Sequence, residues 1–60
     1  MVLYSDLSVG SQVTYNGKNG TVIKMRRLNV DAVEVEYADG SRECYMGRGM
    51  EPVLSNMTLQ

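Results

Sequence analysis

Val33-Glu34-Val35-Glu36-Tyr37-Ala38-Asp39-Gly40-Ser41-Arg42-Glu43-Cys44-Tyr45-Met46 decides the fold, because it reads as one β-hairpin around which the other segments can be arranged. Asp-Gly between two alternating runs signals a type I′ turn, which needs φ > 0 at both central residues. With Asp39 and Gly40 at that turn, Ala38 pairs with Ser41, Tyr37 with Arg42, Val35 with Cys44 and Val33 with Met46. This register puts Val33, Val35, Cys44 and Met46 on one inward face. Glu34 opposite Tyr45 and Glu36 opposite Glu43 then form the outer face. A slip of one residue would turn the apolar side chains outward, so the pattern specifies the register.

Sixty residues make one domain at most, and a chain of that size buries only about 60% of its unfolded surface. We read residues 1–60 as a single domain with its core in 9–54, a short N-terminal lead-in and a C-terminal tail. Small domains usually gain stability from disulfides, a metal or a partner. The single cysteine, Cys44, excludes an intrachain disulfide, and the lack of histidine removes the commonest zinc ligand. An economical core or self-association remains. The five methionines suit irregular packing and adaptable surfaces.

A lone cysteine fits a reducing compartment. Met1-Val2-Leu3-Tyr4 is too short for a signal peptide, and no apolar run approaches the ~20 residues that span a bilayer. The chain therefore reads as cytoplasmic, without a membrane partner. Charge is nearly balanced overall but unevenly placed. Residues 11–30 carry Lys18, Lys24, Arg26 and Arg27 and no acid, whereas residues 31–43 carry Asp31, Glu34, Glu36, Asp39 and Glu43 against Arg42. Such asymmetry creates a local field even where the net charge is small.

Outward from the hairpin, Met1 to Val9 has no clear period, and Ser5-Asp6-Leu7-Ser8 suits one helical turn capped by Ser5. Ser11 to Tyr15 alternates as a strand, and Asn16-Gly17-Lys18-Asn19-Gly20 marks a turn. Thr21 to Arg27 is a longer strand, with Ile23 and Met25 expected inward and Val22 buried near the turn. Leu28 to Asp31 connects it to the hairpin. Gly47-Arg48-Gly49 reads as loop, Pro52 as a strand start, Val53-Leu54 as a short closing strand, and Ser55 to Gln60 as a frayed tail. The fold class that follows is all-β, a sandwich or barrel of five strands. The expected core is Val13, Val22, Ile23, Val33, Val35, Cys44, Met46, Val53 and Leu54.

Three stretches carry a family resemblance: Val9 to Val13, Tyr15 to Val22 and Val33 to Ser41. Together they resemble the SH3-like small barrels of the KOW and Tudor types over residues 9–54. The resemblance implies a five-stranded SH3-like barrel that binds RNA, DNA or peptides through strand faces and loops, and it implies no catalysis. Aromatic cages in Tudor domains work by cation–π attraction. This chain has no Trp or Phe, so Tyr15 and Tyr37, each beside an expected turn, make at best a partial aromatic site. Rim packing is their alternative role.

No Cys-His, Ser-His or Ser-Lys spacing supports a nucleophile, and no motif calls for a cofactor or metal. Glu34, Glu36 and Glu43 share a face, which suits either solvated strand acids or a carboxylate cluster. Lys18, Lys24, Arg26 and Arg27 form the main functional signal, with Tyr15 near enough to stack a base and Arg48 in the glycine loop adding a cation. The same cations also suit a solvated face that protects a strand edge. One reading is a non-catalytic adaptor contacting nucleic acid or a nucleoprotein assembly. The alternative is a protein-interaction module or a homo-oligomer, in which Lys24, Arg26 and Arg27 of one copy meet Glu34, Glu36 and Glu43 of another.

Overall fold

The computed structural model describes residues 2–27 and 29–60. Its strands are β1 (Gln12–Tyr15), β2 (Lys18–Arg27), β3 (Asp31–Tyr37), β4 (Arg42–Met46) and β5 (Thr58–Leu59), with one helix, α1 (Met50–Asn56), between β4 and β5. They form a single antiparallel sheet in the order β4-β3-β2-β1-β5. No ladder joins β4 to β5 among the described residues, so the sheet is open. The domain is mostly β, five antiparallel strands in one sheet, as expected of an all-β chain, with α1 as its one α-helical addition among the described residues.

The two hairpins use different turns, and the difference follows from one residue each. Asn16 and Gly17 both take positive φ, 53° and 75°, giving the two-residue turn that pairs Tyr15 with Lys18. Gly40 is also left-handed, at φ 89°, but Asp39 is not. Its carboxylate instead accepts the Ser41 N–H at 2.9 Å and the Ser41 hydroxyl at 2.6 Å. Tyr37 N–H donates to the Ser41 carbonyl, and Gly40 N–H to the Tyr37 carbonyl. The connection is thus a three-residue loop with a glycine bulge.

That extra residue shifts the register by one. Glu36 pairs with Arg42, Val35 with Glu43, Glu34 with Cys44, Val33 with Tyr45 and Ala32 with Met46. Val33 and Val35 stay buried, but Cys44 and Met46 are exposed, correcting the expectation that they are core. The half-buried Tyr45 packs against the core instead, and Tyr37 joins the core itself.

A second irregularity settles the ambiguous faces of β2. Val22 pairs with Val35 and Lys24 with Glu34, leaving Ile23 as the extra residue of a β-bulge. The bulge resets the alternation, so Val22 is fully buried and Met25, opposite Val33, packs on the core. Ile23, expected inward, is only half-buried.

Val53 and Leu54 are buried as expected but lie in α1 rather than in a strand. Met50, Val53, Leu54 and Met57 are all buried and recur at i, i+3, i+4 and i+7, the period of a helix face. Pro52 falls in the first turn, where its missing N–H breaks no internal bond. Gly47–Gly49, expected as loop, forms a 3₁₀ turn leading into α1. The tail does not fray, since Thr58 and Leu59 pair with Thr14 and Val13 and Gln60 N–H donates to the Gln12 carbonyl. At the other end the helical turn is a 3₁₀ turn over Tyr4–Asp6. Asp6, rather than Ser5, caps it by accepting the Leu3 N–H at 3.0 Å. Leu28, in the expected connection, lies outside the described residues, and no helix among them is long and apolar enough to cross a membrane.

Candidate interaction face

The bulge and the hairpin register together sort the charged side chains. Lys24 and Arg26 occupy alternate positions of β2, opposite Glu34 and Ala32 of β3, which in turn face Cys44 and Met46 of β4. These residues share the outer face of the sheet. They line an open groove of about 200 Å³ that runs from Lys24 and Arg26 across Ala32 and Glu34 to Cys44 and Met46. Small-molecule sites usually enclose about 300–1,000 Å³, so the groove suits the side of an extended partner better than a buried ligand. Its floor is apolar, and Met46 remains 54% exposed.

The four cations read together in the sequence separate in space. Lys18 turns to the other face of the sheet, where its ammonium lies 3.2 Å from the Asp39 carboxylate and 5.8 Å from the centre of the Tyr37 ring. Arg27 is held by Asp31 at 3.0 Å and stacks over Tyr4, 5.3 Å from the ring centre. The Tyr4 hydroxyl reaches the Arg26 and Ala32 carbonyls at 2.8 and 3.2 Å, tying the lead-in to this end of the sheet. Lys24 and Arg26 form no ion pair among the described residues. Arg48 is exposed in the 3₁₀ turn two residues beyond Met46.

Tyr15 does not join Lys24 and Arg26. It lies at the end of β1 beside Lys18 and meets Tyr45 edge-on, ring centres 6.0 Å apart. The structure does bring Tyr15 and Tyr37 to one end of the sheet, and adds Tyr45, whose hydroxyl is 2.8 Å from that of Tyr37. Tyr45 was missed because the expected register turned it outward. With Asn16, Lys18 and Glu43 these tyrosines line a hollow of about 190 Å³. Tyr37 is buried, and its phenol is pushed well above the usual tyrosine range, first by burial and then by the hydrogen bond to Tyr45. The chain's own Lys18 already stands over that ring.

The acids also divide. Glu43, opposite Val35, lies on the other side of the sheet from Glu34 and Glu36, so the three do not share a face. Glu36 pairs with Arg42 at 3.1 Å. Positive and negative groups therefore interleave across β2, β3 and β4, rather than forming the opposed faces expected for head-to-face self-association. No group of three potential metal ligands occurs among the described residues. Comparison with protein-family models, with curated proteins and with solved structures found no match to this chain.

Proposed function

We propose that the chain is a non-catalytic binding module on the SH3-like small-barrel plan of the KOW and Tudor type, holding a protein partner on the β2–β4 groove. The strand order supports that plan, since β5 returns beside β1 after a short helix. So do the glycine-bearing turns at Asn16-Gly17 and Asp39-Gly40. The observation that carries the partner assignment is the exposed Cys44 and Met46 on one side of the groove, with Lys24 and Arg26, which form no ion pair among the described residues, along the other. Such a surface offers both burial and steering to a complementary protein segment, free or within a nucleoprotein assembly.

A second reading, direct contact with a nucleic-acid backbone, draws on the same Lys24 and Arg26. Lys18 and Arg27 point to the other face, each beside a carboxylate, so this surface has two cations to offer rather than four. Affinity for RNA and for duplex DNA, measured at two salt concentrations, separates the readings. Two phosphate contacts give a log–log salt slope of only about −2. We expect binding that weak and that shallow, abolished by Lys24→Gln with Arg26→Gln. A slope of about −4 or steeper would replace the protein reading with the nucleic-acid one.

A further inference from the structure

Three Asn-Gly or Asp-Gly pairs punctuate the chain: Asn16-Gly17, Asn19-Gly20 and Asp39-Gly40. They share one chemistry. Glycine has no side chain to shield its amide nitrogen, which can close on the preceding side-chain carbonyl carbon to form a five-membered imide. Closure needs that N–H free of a hydrogen bond, the side chain free to turn, and a group that can leave. The fold treats the three pairs differently. At Asn19-Gly20 both halves are held. Val22 N–H donates to the Ser11 carbonyl at 2.9 Å, which fixes the phase of the β1–β2 ladder and turns the Gly20 N–H to its partner Val13. Asn19 Oδ1 accepts the Thr14 hydroxyl and the Gln60 side-chain amide, each at 3.0 Å, and Gly20 is buried against Tyr37. At Asp39-Gly40 the carboxylate accepts the Ser41 N–H and hydroxyl, and Gly40 N–H donates to the Tyr37 carbonyl. An ionised carboxylate also offers no leaving group. Asn16 is exposed at the tip of the first turn, just inside the Tyr15–Lys18 closing pair. Neither its side chain nor the Gly17 N–H makes a hydrogen bond among the described residues.

We infer that Asn16-Gly17 is a self-modification site of the folded chain, with water as its co-reactant, and that the fold shields Asn19-Gly20 and Asp39-Gly40 from the same reaction. The Gly17 nitrogen gives up its proton and its electron pair attacks Asn16 Cγ. The N–Cγ bond forms, the Cγ–Nδ2 bond breaks, and Nδ2 leaves with a proton as ammonia. Water then opens the imide at either carbonyl. Attack at Cγ restores the main chain and leaves aspartate. Attack at the main-chain carbonyl routes the chain through Cγ and leaves β-linked isoaspartate. No electrons are exchanged with any other group, and each product adds one negative charge to a chain whose formal net charge is −1. The new carboxylate arises on the rim of the hollow that Lys18 shares with Tyr15, Tyr37 and Tyr45. The β-linked product also carries an extra main-chain carbon, which a two-residue turn pairing Tyr15 with Lys18 does not accommodate.

The test incubates the chain in mildly alkaline buffer, natively and in guanidinium chloride, and follows each pair by mass and by isoaspartate content. Trypsin cuts after Lys18, so Asn16 and Asn19 fall on separate peptides. In the native chain Asn16 should convert about tenfold or more faster than Asn19, because a loop tip opens at lower free-energy cost than a ladder position. In guanidinium chloride the two should convert at similar rates, which assigns the difference to the fold. Isoaspartate should appear at position 16, since direct hydrolysis of the side chain gives aspartate alone. An Asn16 that stays intact in the native chain while the denatured chain converts overturns the proposal. Equal conversion of Asn16 and Asn19 in the native chain overturns the protection by the ladder, and isoaspartate gathering at Asp39 as fast as at Asn16 overturns that by Ser41. Aspartate at position 16 without isoaspartate overturns the imide route.

Discussion

Gly20 lies directly against Tyr37. The two are register partners on β2 and β3, and a Cβ on Gly20 would stand 2.8 Å from Tyr37 Cδ1 and 2.7 Å from Val35 Cγ1. Neither ring nor valine can retreat, because both belong to the buried core. Gly20→Ala should therefore destabilise the domain by about 1–3 kcal/mol through overpacking. Urea unfolding should show a lower midpoint at unchanged slope.

Val35 is fully buried at the centre of the sheet, facing Val22. Val35→Ala should remove roughly 1–3 kcal/mol, a large share of the stability of so small a domain. Thermal unfolding followed by circular dichroism measures it.

Met57 is 2% exposed and sets the tail so that Thr58 and Leu59 reach β1. Met57→Ala should cost about 2–5 kcal/mol. Deleting residues 58–60 should cost less and speed hydrogen exchange along β1, since only a short edge ladder is lost.

Asp39 titrates at about 2, lowered first by the Ser41 hydroxyl, then by the Ser41 N–H, and then by Lys18. A carboxylate with a depressed folded-state pKa adds stability above its unfolded value near 4, and that stability is lost as pH falls through the folded value. The stability difference between the native chain and Asp39→Asn should thus be full at neutral pH and vanish between about pH 4 and pH 2. Ser41→Ala should raise the Asp39 midpoint in a carboxyl NMR titration.

Tyr37 behaves in the opposite sense, its pKa being raised. The folded chain holds that proton when the unfolded chain has released it, so the contribution is complete below about pH 10 and declines as pH rises further. Ultraviolet titration should show one phenol ionising only with alkaline unfolding. Tyr45→Phe should bring that ionisation to lower pH.

Much of this was legible in the sequence. Strands β1 to β4, the Asn16-Gly17 turn and the buried Val13, Val22, Val33 and Val35 follow from turn chemistry and alternation, whereas β5 lies in the stretch expected to fray. The hairpin register was not, because Asp-Gly serves two turns. A two-residue turn needs left-handed Asp39, whereas the Ser41 hydrogen bonds favour a three-residue loop. That one residue moved Cys44 and Met46 from core to groove. The helix was hidden by Pro52, read as a strand start, although Met50, Val53, Leu54 and Met57 already carried the helical period. The site was partly legible: Lys24 and Arg26 do share a face. The ion pair that withdraws Lys18 joins it to Asp39, distant in chain, which spacing does not disclose, whereas Arg27 meets Asp31 four residues on, across the β2–β3 ladder.

The claim on which the groove depends is that the hairpin register turns Cys44 outward beside Lys24 and Arg26. Reaction of the native chain with Ellman's reagent tests it most directly. The thiol should react completely under native conditions, at a rate changed little by adding denaturant. A thiol that reacts only on unfolding would restore the two-residue turn, return Cys44 to the core and remove the groove.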